Sequence, residues 1–394
     1  MTFAKDFSLS ALIAGFVSVL VGFTSAGVIV FQAAQSLGAS PEEIGSWIWA
    51  LGLGMGLTSI LLSWRYKMPV VTAWSTPGAA LLIPAASGVS MAEGIGAFLV
   101  CAALITLCGF TGWFERAINL IPLPLASAML AGVLLRFGLN VFVAMQTQFV
   151  MTFTMFCVYL LVRQAVPRYT ILAALIVGGL IAGGQGLLQL EVVKWQLAQP
   201  VFTTPQFSVT AIIGIALPLF VVTMASQNVP GVATIRAFGY NTPISPLIGW
   251  TGVATLILAP FGAFAINLAA ITAAITMGKE AHEDADKRYI AAMAAGVFYI
   301  IVGIFGATVV GLFSALPEEL VLTIAGLALL STIGKSLAIA LSEENEREAA
   351  LVTFLVTASG MALLNIGSAF WGIVAGALVV GSRRLMSRRR TPRP

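Results

Sequence analysis

Trp74-Ser75-Thr76-Pro77-Gly78-Ala79-Ala80 and, close to half the chain later, Phe264-Ala265-Ile266-Asn267-Leu268-Ala269-Ala270 decide how this sequence is read. Each lies in an apolar segment too short and too interrupted to be a plain membrane helix. Ahead of the first, Val70-Val71-Thr72-Ala73-Trp74-Ser75 is β-branched and extended in character. Pro77 then suits the first turn of a helix, where its missing N–H costs nothing, with Thr76 as the cap. In the second, Pro260-Phe261-Gly262-Ala263-Phe264 is the irregular part, and a helix start is expected near Asn267. Discontinuous helices at matching places in two halves of a chain point to a transporter's substrate site. The plainer reading is that Pro77 and Pro260 only kink ordinary helices.

The bulk composition sets the environment. Of 394 residues, 59% are hydrophobic and 9% charged, and mean hydropathy is +0.99. A soluble domain carries about 25% charged residues, so this is a polytopic membrane protein. At about 20 residues per span, the apolar runs leave room for about 12–14 segments. The 39 glycines fit that setting. Cys101, Cys108 and Cys157 lie in apolar runs with no CxxC pair or Cys/His cluster, which argues against a disulfide framework or a zinc site. The apolar run from Leu9 is too long for a signal peptide and is read as a retained first helix.

Spans are expected at 8–33, 42–64, 69–86, 93–114, 121–142, 146–163 and 169–187. A second set follows at 208–229, 244–259, 260–278, 288–313, 318–340, 347–364 and 367–382. Alternating from an N-terminus inside, the inner loops collect Lys5, Arg65, Lys67, Arg116, Arg163, Arg168, Arg236, Lys279, Lys287, Arg288 and Arg347. The tail adds Arg383, Arg384, Arg388, Arg389, Arg390 and Arg393, whereas the outer loops hold Lys194 among several glutamates. Both termini are therefore placed in the cytoplasm. Three short matches run in the same order through both halves: Ser10-Ala11-Leu12-Ile13 with Thr210-Ala211-Ile212-Ile213, Ser40-Pro41 with Thr242-Pro243, and Leu130-Ala131-Gly132 with Ile324-Ala325-Gly326. Seven spans per copy is odd, so the second copy must be inverted. The expected fold is an all-α polytopic membrane protein. Its fourteen transmembrane segments form two inverted seven-span repeats, 1–190 and 208–394, with an extracytoplasmic linker over 191–207. Spans 3 and 10 carry short extended pieces and half-helices.

Two helix N-termini facing each other near the midplane would form an anion site without a basic side chain. Its candidate residues are Ser75, Thr76, Pro77, Gly78 and Ala79 on one side and Ile266, Asn267 and Leu268 on the other. Ser226, Gln227 and Asn228 end the eighth expected span, where three successive polar side chains are expensive unless paired. They serve either as substrate contacts or as a helix-end cap. Thr24 and Ser25 hold the corresponding place in the first half. Arg136 and Lys335 are the charges within spans, and each either offers a counter-charge or snorkels to the surface. No Asp or Glu lies deep in any span, so no proton-coupling carboxylate is identified. His282 reads as a solvated loop residue, and the tail arginines as orientation signals with contacts to anionic lipid. No P-loop, zinc motif or nucleophile elbow is present, so neither an enzyme nor nucleic-acid binding is expected, and no cofactor or metal is called for.

Ser75-Thr76-Pro77-Gly78-Ala79-Ala80, Ser226-Gln227-Asn228-Val229-Pro230-Gly231 and the long run from Phe261 to Ile275 together resemble the benzoate transporter (BenE) family over essentially the whole chain. The resemblance implies import of benzoate or a similar aromatic carboxylate, with protons, across a bacterial inner membrane. More remotely the layout is similar to uracil/xanthine permeases and sulfate-type anion transporters. That likeness implies a core domain (spans 1–4 and 8–11) moving against a gate domain (spans 5–7 and 12–14), and a homodimer through the gate domains. Nucleobase permeases hold the base with acidic residues in the eighth and tenth spans. The nearest positions here are Gln227 and Ile266, which disfavours a nucleobase and favours an anion. The alternatives are a channel or uniporter for small anions, and a permease for a different substrate such as a nucleobase.

Overall fold

The structure, a computed structural model, describes residues 8–112, 122–166, 169–241, 243–279, 281–361, 363–364 and 368–390. Lys5, Arg116, Arg168, Thr242 and Arg393, used above for charge and repeat, lie outside them, as do the side chains of Ser25, Arg384, Arg388, Arg389 and Arg390.

Helices stand where the apolar runs predict them. The first half holds α1 (Leu9–Ser36), α2 (Pro41–Tyr66), β1 (Thr72–Trp74), α3 (Thr76–Ala85), α4 (Met91–Phe110), α5 (Leu123–Ala144), α6 (Phe149–Ala165) and α7 (Thr170–Gly184). The second half holds α8 (Val209–Arg236), α9 (Ile244–Leu258), β2 (Ile266–Leu268), α10 (Ile271–Met277), α11 (Tyr289–Ile304), α12 (Gly306–Ser314), α13 (Glu318–Ala340), α14 (Arg347–Ala358) and α15 (Ser368–Arg390). Among the described residues seven helices are long and apolar enough to cross a membrane alone, or eight if α1, bent by 44° between Leu9–Thr24 and Ala26–Ser36, counts as one. At the bend the Thr24 hydroxyl donates to the carbonyls of Leu20 (2.8 Å) and Val21 (3.4 Å), a pattern that tilts helices.

Starts are set by local chemistry. Ser40 and Ser90 form capping boxes with Glu43 and Glu93. α2 and α11 cross where a Cβ on Gly52 would meet the Gly303 Cα at 2.6 Å, so small residues let the two backbones touch. α4 packs on α9, and α5 packs on α13 and α14.

Two expectations are corrected. The eighth span does not end at residue 229: it continues to Arg236 through two π-helical turns, Ile212–Ala216 and Met224–Asn228. Ser226, Gln227 and Asn228 therefore lie inside a helix and cap nothing. The eleventh segment is broken at Phe305 into α11 and α12. The linker is a strap tied down along its length. Its N–H groups at Gln196, Ala198, Val201, Thr203 and Gln206 donate to Thr308 Oγ1 (3.0 Å), Ile304 O (2.8 Å), Ser46 Oγ (2.9 Å), Pro260 O (2.8 Å) and Ala92 O (2.9 Å). These bonds answer the need of an extended backbone for partners.

Candidate functional site

Extended backbone at membrane depth needs a partner for every N–H and C=O. For the first break, α2 supplies them. Ser63 Oγ accepts from Val70 N–H and donates to Val70 O, both at 3.0 Å. Thr72 N–H donates to Ser59 Oγ at 3.0 Å, and the Thr72 hydroxyl reaches Met55 O (2.9 Å) and Thr58 Oγ1 (2.6 Å). β1 then pairs antiparallel with β2 in the register Thr72↔Leu268, Ala73↔Asn267 and Trp74↔Ile266. The two interruptions are thus halves of one small sheet.

α3 follows at once. Its cap is Ser75, not Thr76: Ser75 Oγ accepts from Gly78 N–H at 3.1 Å, and Ala79 N–H closes the first turn on Ser75 O at 2.7 Å. Thr76 is the first helical residue, with Pro77 behind it. Neither the N–H nor the hydroxyl of Thr76 has a partner among the described residues.

The second break is built differently. Gly262 takes φ +101°, and a Cβ there would overlap the Trp47 indole, so only glycine fits. Trp47, Phe98 and Phe264 pack together behind it, with ring centroids 5.4–5.8 Å apart. The helix does not start near Asn267. Ile266–Leu268 is strand, held extended by its pairing with β1, and α10 begins at Ile271. Ile266 N–H goes to Thr255 Oγ1 (3.1 Å), Leu268 N–H to Asn228 Oδ1 (3.0 Å) and Ala269 N–H to Val71 O (2.9 Å). Ala265, at φ +40°, is held by two donors to its carbonyl, Asn267 Nδ2 at 3.0 Å and Ser75 N–H at 3.2 Å. α10 has seven residues and no side-chain cap. Its far end is clasped by Arg288, whose guanidinium donates to Met277 O (2.9 Å), His282 O (2.7 Å) and Glu283 O (3.2 Å). In that loop His282 Nδ1 accepts from Asp284 N–H at 3.0 Å. The Asp286 N–H in turn holds the Asp284 carboxyl below its usual range.

Where the breaks meet there is a cavity of about 290 Å³, near the lower end of the about 300–1,000 Å³ typical of small-molecule sites. Thr76, Ser226, Gln227, Tyr299 and Trp74 border it, with Val21, Leu123, Leu130 and Ile339 supplying apolar wall. Trp74 is itself braced edge-on by Phe23, centroids 4.7 Å apart. A wider cavity of about 770 Å³ shares Thr76, Gln227, Ile271, Thr332 and Lys335 with the first and runs on to Pro77, Thr24, Tyr159 and Arg163. No Asp or Glu borders either cavity among the described residues.

The structure therefore divides the sequence-derived residues. Thr24, Thr76, Pro77, Ser226 and Gln227 border the cavities. Ser75, Gly78, Ala79, Asn228, Ile266, Asn267 and Leu268 are buried beside them and hold the break together. Asn228 is turned to the strand: besides Leu268 N–H, it donates from Nδ2 to Met224 Sδ at 3.2 Å. Asn267 Oδ1 is buried without a partner. Ile266 is directed at α2, where its side chain lies against Gly54. Arg136 borders a separate cavity of about 110 Å³. Sequence reasoning missed Trp74, Tyr299 and the hydroxyls of α2 and α9 that hold the strands. Thr58, Ser59, Ser63 and Thr255, four hydroxyls in the apolar stretches of those helices, are the available signal.

Comparison with known proteins bears on what such a site serves. Residues 5–381 match the family model described as "Benzoate membrane transport protein" (BenE). The chain is 50% identical over 367 residues to the inner membrane protein YdcO of Escherichia coli, covering 93% of this chain and 94% of that one. It is 44% identical over 377 residues to the benzoate membrane transport protein of Acinetobacter baylyi, covering 96% of each. Its fold matches the transmembrane domain of the cyanobacterial bicarbonate transporter BicA with a TM-score of 0.60 at 12% identity, over 94% of this chain and 97% of that one.

Proposed function

The chain belongs to the benzoate membrane transport family, a family of transporters and not of enzymes, and from that premise we propose that it is a secondary active importer of benzoate or a similar aromatic carboxylate. The observation that carries the reading is the cavity of about 290 Å³, bordered by Thr76 and Gln227 and by the rings of Trp74 and Tyr299, with no carboxylate on its described walls. The substrate carboxylate accepts hydrogen bonds from the Thr76 N–H and hydroxyl and from the Gln227 amide. It lies at the positive end of the ten-residue α3. The aromatic ring lies on Trp74, Tyr299 and the apolar wall. Ser226, Pro77 and Thr24 line the approach, while Ser75, Gly78, Ala79, Asn228, Ile266, Asn267 and Leu268 keep that geometry fixed.

In this reading the chain crosses a bacterial inner membrane fourteen times as two inverted seven-span repeats, with both termini cytoplasmic. The name of the Escherichia coli relative supports the membrane, and the basic loops support the orientation. The core domain (spans 1–4 and 8–11) carries the joined breaks, and the gate domain (spans 5–7 and 12–14) moves against it. Protons accompany the substrate, and two copies associate through their gate domains. The acid-free cavity argues that a proton enters bound to the substrate or through groups outside the pocket.

The test is uptake of labelled benzoate into proteoliposomes with and without an inward proton gradient. Accumulation above the outside concentration that collapses when the gradient is dissipated is expected. Uptake of bicarbonate or uracil but of no aromatic acid would overturn the substrate. Fluxes that never accumulate would favour a channel or uniporter.

A further inference from the structure

One charged group bordering both cavities has no part in the reading above. Lys335 stands on α13 with Ser331, Thr332 and Ser336. At offsets of one, four and five residues these four lie on one face of a helix. All four border the cavities: Ser336 the smaller, Ser331 the wider, Thr332 and Lys335 both. The rest of α13 between Leu320 and Ala340 is almost wholly apolar, so this is a polar stripe turned onto the space in front of Thr76 and Gln227.

Lys335 is exposed to this space, so its ammonium is open to an anion that enters it. Among the described residues the ion pairs are Lys287 with Asp284 and Arg383 with Glu348, so Lys335 has none. The other cation at the wider cavity, Arg163, is already engaged: it donates to Tyr159 Oη at 2.7 Å and lies over the same ring. Arg136 borders a cavity that shares no residue with these two. Lys335 is thus a cation without a partner, at the junction of the wide space with the narrow one.

We propose that Lys335, at the centre of the Ser331–Ser336 stripe of α13, is the group that captures the substrate's carboxylate in the wider cavity and passes it to Thr76 and Gln227. This rests on the carboxylate-transport reading and adds a specificity-determining residue on the opposite wall. A long flexible ammonium suits the role, since it follows a moving anion as a point charge without fixing one geometry. The stripe's hydroxyls replace water around the anion as it leaves the wide space. An uncharged analogue of the same shape gains nothing from this arrangement, so Lys335 discriminates acid from amide.

The experiment compares the parent with Lys335→Gln and Lys335→Arg in proteoliposomes, measuring initial rates of benzoate uptake against concentration. Benzamide serves as an uncharged competitor. Lys335→Gln is expected to raise KM for benzoate by about tenfold or more, with the maximal rate within about twofold and inhibition by benzamide unchanged. Lys335→Arg should keep KM within about threefold of the parent. A second measurement needs no variant: the parent's KM should rise as ionic strength is raised at constant pH, as a charge-captured ligand requires. Parent-like KM in Lys335→Gln, equal impairment in both variants, or a KM in the parent that ignores salt would each overturn the assignment while leaving aromatic-acid transport standing. A parent that takes up no aromatic carboxylate overturns the functional reading, and this assignment falls with it.

Discussion

The first break passes from Thr72–Trp74 directly into a ten-residue helix. Ser75 takes up the Gly78 N–H, and the N–H and hydroxyl of Thr76 are left facing the cavity. The second break has the same two parts but assigns its donors differently. The N–H groups of Ile266, Leu268 and Ala269 all end on protein acceptors, and the helix starts three residues beyond the strand. The strand of the second arm is therefore fully tied into the protein, whereas the first arm brings Thr76 to the cavity directly after its cap. Two segments that look equivalent in sequence need not contribute equally to a site. What separates them is where each backbone donor finds its acceptor.

The comparison can be broken most severely at Asn267. Asn267→Asp sets a buried carboxylate against the Ala265 carbonyl to which the amide now donates. A loss of about 3–5 kcal/mol is expected, seen as a large fall in Tm and in the yield of folded protein in detergent. If Asn267→Asp kept the parent's Tm and lost only benzoate binding, the second arm would be a ligand site and not a wall. Asn228→Ala comes next. It strands the buried Leu268 N–H and should cost about 1–3 kcal/mol in thermal unfolding.

Gln227 sharpens the contrast, since it shares one π turn with Asn228 but borders the cavity. Gln227→Leu should leave Tm within about a degree and raise KM for benzoate by about tenfold. Neighbouring residues would then separate cleanly into binding and support. The smallest effect is expected at Ser75→Ala. It removes the α3 cap and should cost about 1 kcal/mol in unfolding, with a modest rise in KM as the first turn of α3 loosens.

Much of this molecule can be read from its residues. Hydrophobic runs placed α13 at 318–340, and the structure has Glu318–Ala340. Pro77 and the β-branched run before it marked the first break, because local sterics and a missing N–H act within a few residues. The second break was located at Pro260–Phe264, but its helix start was misplaced, because the fate of the 266–269 donors depends on Thr255, Asn228 and Val71. Arg288 was read as an orienting loop charge, yet it clasps the end of α10 through three carbonyls. The polar trio of the eighth span is compatible with a helix end by sequence, because π turns carry no composition signal.

The sequence by itself determined that the chain lives in a membrane, that it is interrupted twice at matching places, and that the eighth segment carries three successive polar side chains in need of partners. These follow from composition, backbone sterics and the cost of polar groups in an apolar run, all of them local. Only the tertiary structure decided that the interruptions pair as one antiparallel sheet, that Gln227 borders a cavity while Asn228 holds a strand, and that Lys335 shares that cavity. Each of these depends on which distant acceptor satisfies a given donor and which helix a side chain meets, and that is settled only when the helices pack.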